Sequence, residues 1–126
     1  MNDSIGADGE LPLGVSLMAH GPVAGLLDDA RLAEAVGCRR CWVYDEGLAT
    51  RDAWVTMTAV ALSTSRIRIG PGITNPYTRH PGTTAAALAS LDEVSGGRAF
   101  LGIGAGGGMT LGPLGIDRIR PLEAVE

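Results

Sequence analysis

The sequence predicts an α/β fold built on a parallel sheet, and three observations predict it. Short apolar runs of strand character at 13–18, 41–44, 67–73 and 99–103 alternate with stretches of helical period. Each run ends in polar or glycine-rich residues, at the end of the strand where parallel α/β folds bind ligands. Apolar residues make up 45% and charged residues 19% of the 126, the balance of a chain that buries a core. Two architectures fit: an open doubly wound sheet, or part of a (β/α)8 barrel. A whole barrel needs about 250 residues. Four strands, three helices and the start of a fourth fill about half of that, which suggests a truncated sequence or half of a longer protein.

Residues 1–10 are polar and acidic and predict a flexible lead-in. They contain no signal-peptide core, and no apolar run reaches the ~18 residues of a membrane span, so a cytoplasmic protein is expected. The net charge of −4 with no basic block argues against nucleic acid as a partner. Leu13–Met18 is read as the first strand. From Val23 to Val36, apolar residues at 23, 26, 27, 30, 33 and 36 give a helix, which Gly37 stops. Cys41–Tyr44 is the second strand and ends in Asp45 and Glu46. Cys38 and Cys41 form a C-x-x-C with no second pair at zinc spacing, and no metal site is expected. Thr50 is the expected cap of the second helix, with Asp52 in its first turn. That helix runs through Trp54 and Met57 to about Thr64.

The third strand breaks the rules of its kind. Ile67 and Ile69 alternate with Arg68, and then Gly70, Pro71 and Gly72 precede Ile73. Proline has no N–H for the ladder, so a bulge or a strand end is expected here. The polar run Thr74, Asn75, Tyr77, Thr78, Arg79 and His80 follows, and Pro81 opens an alanine-rich helix closed by Ser95-Gly96-Gly97. Ala99–Ile103 is the fourth strand, Met109–Gly115 reads as a loop, and 120–126 as the beginning of another helix. Gly102 to Gly107 formally matches G-x-G-x-x-G, but the loop after it denies the helix that the dinucleotide motif requires.

The runs G-P-G-I-T-N-P-Y-T-R-H-P (70–81), L-D-E-V-S-G-G-R (91–98) and L-G-I-G (101–104) resemble the bacterial-luciferase-like superfamily. Within it they look most like the coenzyme F420-dependent methylenetetrahydromethanopterin reductases, over residues 11–126. The resemblance implies a (β/α)8 barrel, here its N-terminal half. It implies an F420- or flavin-dependent oxidoreductase passing hydride between a deazaflavin and a small substrate, with FMN as the alternative cofactor and a luciferase-like monooxygenase as the alternative activity. A non-catalytic half-barrel, acting as a binding or assembly piece, is the reading from another class. A homo-oligomer is expected of the full-length protein.

The same resemblance implies the site. A non-prolyl cis peptide at Gly72–Ile73 would back the ring. Thr74 and Asn75 would hydrogen-bond its polar edge, and Gly104 and Gly106 would let the cofactor approach closely. Asp45 and Glu46 are the catalytic candidates; Glu46 stands where relatives commonly have a histidine, and Gly107 where several have an acid.

Overall fold

The computed structural model describes residues 13–126, so the lead-in expected at 1–10 lies outside the described residues. Three strands, β1 (Gly14–Leu17), β2 (Arg40–Val43) and β3 (Arg68–Pro71), alternate with three helices, α1 (Val23–Ala35), α2 (Ala53–Ser63) and α3 (Pro81–Ser95). The strands form one parallel sheet in the order β1-β2-β3. The register aligns Leu17, Val43 and Pro71, one row below Tyr44 and Gly72.

Alternation along the strands sorts the side chains into two layers. Leu17, Cys41, Val43 and Ile69 face the helices and join Leu26, Ala30, Met57, Val60, Ala61 and Leu91 in a single core. Each large side chain in that core contributes about 1.5–3 kcal/mol by leaving water. The other face carries Trp42 and Phe100, whose rings meet edge to face at 4.5 Å.

The helix ends follow local chemistry. Gly37, at φ 94°, stands just beyond the end of α1, and Gly96, at φ 70°, caps α3 in the left-handed region where glycine is favoured. The cap of α2 is Asp52 rather than Thr50: its carboxylate accepts from the Val55 N–H at 2.9 Å, two residues later in the chain than expected. His80 caps α3, its Nδ1 accepting from the Gly82 N–H at 3.0 Å, with Pro81 at the first helical position. Two side chains tie the units together. Glu34, near the end of α1, accepts from the amides of Ser65, Arg66 and Ile67 ahead of β3. Arg98 donates to the carbonyls of Ala61, Thr64, Ile67 and Ser95, closing the C-terminal end of α2.

The fourth strand does not form as a ladder. Residues 99–103 pair with β3 and the run after it only through isolated bridges, Ile69 to Ala99 and Thr74 to Ile103. Five residue steps on one side face four on the other, so one extra residue bulges from the β3 side. Within the bulge the chains are too close for side chains. A Cβ on Gly70 would sit 2.3 Å from the Phe100 carbonyl oxygen, and one on Gly102 would sit 2.3 Å from that of Pro71. The expected loop after Gly107 is instead a one-turn helix, α4 (Gly108–Leu111), followed by a 3-10 turn over Gly112–Leu114. The helix expected at 120–126 is a 3-10 turn over Glu123–Val125. Among the described residues no helix is long and apolar enough to cross a membrane.

Candidate functional site

A cleft of about 560 Å³ opens at the C-terminal ends of β2 and β3. Its position follows from the sheet: Tyr44, Asp45 and Glu46 continue β2, Gly72 and Ile73 continue β3, and the run 105–110 closes the far side. The volume falls within the ~300–1,000 Å³ of small-molecule sites.

Of the residues singled out from the sequence, Asp45, Glu46, Gly72, Ile73, Asn75 and Gly106 line this cleft. Thr74 and Gly104 do not. Thr74 is fully buried behind the wall, and its hydroxyl donates to Asp45 Oδ2 at 2.8 Å. A Cβ on Gly104 would lie 2.4 Å from Ile73 Cδ1, so its missing side chain makes room for Ile73.

The peptide bond between Gly72 and Ile73 is cis, as the resemblance implied. Ile73 is 49% exposed despite being apolar and presents its side chain to the cleft. Gly102 and Gly104 sit against it, and a Cβ on either would crowd its side chain. Asn75 is occupied locally: its Oδ1 accepts from Tyr77 N at 3.0 Å, Thr78 N at 2.9 Å and the Thr78 hydroxyl at 3.2 Å. It therefore holds the turn into α3, and its oxygen is already satisfied.

Asp45 is the electrostatic centre of the site. Burial pushes its carboxyl above the usual carboxylate range. The Thr74 hydrogen bond opposes that shift, Asp52 adds to it, and Arg79 opposes it. Glu46 lies beside it on the cleft wall.

Two contributors were not anticipated. Arg118 lines the cleft and donates to the Gly106 carbonyl at 3.0 Å, and the Tyr77 hydroxyl donates to the Ile119 carbonyl at 2.6 Å. Together they tie the segment after α4 to Gly106 and to Tyr77. No periodicity flags a lone arginine in a loop; the glycine run that it contacts was the only signal. His20 stays outside this lining, its Nδ1 within 3.0 Å of the Ala49 carbonyl.

At the opposite end of the strands a second cleft of about 430 Å³ is lined by Glu34, Cys38 and the arginines 39, 40, 66 and 68. Cys41 is fully buried near it, and burial pushes its thiol up to about 12.

The first cleft has the apolar side chain of Ile73 on one wall. The opposite wall is glycine, and added side chains at Gly107 and Gly108 would meet nothing within 4 Å. The charged side chains of the lining are Asp45, Glu46 and Arg118.

Comparison with known proteins gives the family. The chain is 39% identical over 116 residues to 5,10-methylenetetrahydromethanopterin reductase of Methanolobus tindarius, covering 92% of this chain and 35% of that protein. The structure of the coenzyme F420-dependent tetrahydromethanopterin reductase of Methanopyrus kandleri superposes with a TM-score of 0.81 at 37% identity, over 84% of this chain and 30% of that one. The FMN complex of the oxygenating constituent of 3,6-diketocamphane monooxygenase of Pseudomonas putida matches with a TM-score of 0.68 at 24% identity, over 76% of this chain and 30% of that one; that likeness concerns the fold. The chain spans about a third of the length of the curated relatives it matches. Its α/β fold is accordingly part of the (β/α)8 barrel expected from the sequence. The sequence model described as luciferase-like monooxygenase matches residues 10–126, and the chain belongs to that family.

Proposed function

We propose that this cleft is part of the cofactor site of an F420-dependent oxidoreductase acting on a small, tetrahydropterin-like substrate. The observation that carries the reading is the Ile73 wall. A half-exposed isoleucine stands between two glycines that make room for it, opposite a glycine run with open space before it. That is a slot for a planar ring, bounded by polar edges. The names of the relatives, F420-dependent reductases of a tetrahydropterin, point to a deazaflavin as its occupant. When bound, the deazaflavin supplies the hydride chemistry, and the protein supplies placement.

Gly72 and Ile73 would back the ring and exclude water from one face. Gly106 would allow close approach along the far wall, and Arg118 would offer a charged donor at the edge. Asp45, held above its usual range by burial, is able to keep a proton closer to neutral pH than an exposed aspartate. Thr74 and Gly104 act indirectly, Thr74 by orienting Asp45 and Gly104 by seating Ile73. Asn75 shapes the turn that carries both.

The test is a titration of the protein with F420 and, separately, with FMN, following ring fluorescence. A saturable change with F420, tighter than with FMN, is expected. Tighter FMN binding would move the proposal to a flavin enzyme. No change with either cofactor would refute it and favour a binding or assembly role.

A further inference from the structure

The cleft of about 430 Å³ at the far end of the strands gathers four of the chain's ten basic residues, Arg39, Arg40, Arg66 and Arg68. All ten are arginine, and the chain as a whole is acidic, with a net charge of −4. Among the described residues Glu34 is the one acid in this lining, and its carboxylate is already engaged. It accepts from the amides of Ser65, Arg66 and Ile67 and from the Ser65 hydroxyl.

The main chain brings the arginines together. Arg40 and Arg68 are partners in the register of β2 and β3. Neighbouring strands lie about 4.8 Å apart, so the two side chains leave the same face of the sheet side by side. The Arg39 N–H donates to the Leu13 carbonyl at 2.8 Å, and the Arg39 carbonyl accepts from the Arg68 N–H at 3.0 Å. The Arg66 N–H donates to Glu34 Oε1 at 2.6 Å. The Arg68 guanidinium is further placed over the Phe100 ring, 5.7 Å from its centroid. Arg40 and Arg68 are half-buried, and Arg39 and Arg66 are exposed. Like charges held this close repel one another, and an anion among them turns that repulsion into attraction. Backbone anchoring lowers the ordering cost of binding one.

The donors select the class of anion. A single carboxylate would balance one guanidinium and leave the others facing each other. An oxyanion with two or more charges and several acceptor oxygens suits the planar fork of arginine, which binds phosphate oxygens in pairs. We propose that this cleft is a binding site for a small phosphate-class anion, a phosphate monoester or a diphosphate. It lies at the end of the sheet opposite the cofactor cleft, and the inference does not depend on the identity of the cofactor.

Isothermal titration calorimetry of the full-length protein with inorganic pyrophosphate should show saturable binding that weakens as potassium chloride is raised. Arg39→Gln and Arg66→Gln keep the main-chain bonds at exposed positions, and each should weaken binding about tenfold with circular dichroism unchanged. Cys38 lines the same cleft, so bound pyrophosphate should also slow its alkylation by iodoacetamide, a readout local to this site. Should either variant lose its native spectrum, the other variant and the protection of Cys38 in the parent protein decide. Absence of saturable binding overturns the proposal. So does binding that both variants retain, or binding that leaves Cys38 alkylation at its original rate. Binding that emerges only once Asp3, Asp8 and Glu10 are replaced by Asn, Asn and Gln would assign the cleft to the chain's own acids and refute the small-anion site.

Discussion

Replacing Glu34 by Gln tests the tie between α1 and β3 and has a sign that depends on pH. Three backbone amides converge on this carboxylate, at 3.0 Å from Ser65, 2.6 Å from Arg66 and 2.8 Å from Ile67, and the Ser65 hydroxyl adds a fourth donor at 3.3 Å. Burial alone would raise the Glu34 carboxyl. The amides outweigh it, with the Arg66 charge assisting, and hold the group at about 2 instead of 4.5. At about 1.4 kcal/mol for each tenfold change in acidity this corresponds to roughly 3 kcal/mol. The group is partly open to solvent, which screens it, so about 1–2 kcal/mol is the expected contribution. The folded value is the depressed one. The stabilisation is therefore complete above pH 4.5 and is lost as the pH falls towards 2. Glutamine keeps one acceptor oxygen but not the charge. Urea unfolding at a series of pH values should show Glu34→Gln less stable by about 1–2 kcal/mol at pH 7, the gap closing between pH 4.5 and 2. A gap that is constant with pH, or absent at neutrality, would refute the assignment.

Three further outcomes follow from the geometry. Gly102→Ala places a Cβ 2.3 Å from the Pro71 carbonyl oxygen and 2.9 Å from Trp42 Cζ3. Backbone cannot give way there, so a loss of about 2–3 kcal/mol in chemical denaturation is expected. Gly104→Ala meets only the flexible end of Ile73, at 2.4 Å from Cδ1. Folding should survive, while the F420 fluorescence response weakens several-fold as the wall shifts; equal responses from variant and parent would contradict the wall. Cys41, fully buried with its thiol at about 12, should resist alkylation at pH 8 until the protein unfolds, whereas the half-buried Cys38 should react first. Peptide mapping after iodoacetamide treatment distinguishes the two.

Much of this arrangement was legible in the residues because local signals agreed with one another. Gly37, Gly96 and Pro81 punctuate the helices where their backbone preferences demand. The two acids after β2 line the cleft, and of the polar run after β3 Asn75 does. The misses have physical causes. Thr50 and Asp52 are both good capping residues, and only the three-dimensional turn over Gly47–Ala49 decides between them. The strand at 99–103 has the right composition but meets a bulged neighbour, so its pairing is interrupted from outside. Gly104 looked like a place for a ligand and is a place for Ile73, a contact spanning 31 residues of sequence. Arg98 was part of a motif, yet its bonds to the end of α2 belong to tertiary structure alone.

The extra residue between Ile69 and Thr74 has a consequence for which side of the sheet each later residue occupies. Before it, odd-numbered positions such as Ile69 and Pro71 sit in the helix-facing layer, fully buried. After it, the parity reverses: Thr74 is the buried one, on the side of Asp45, and Ile73 meets the cleft. The bulge thus acts as a phase shift that lets one continuous strand path serve the core first and the cleft second. Removing a single residue from 70–73 would restore simple alternation and turn Thr74 away from Asp45. A one-residue deletion there should damage the site far more than its size suggests, while the core pairing of Arg68 and Ile69 with β2 stays in register.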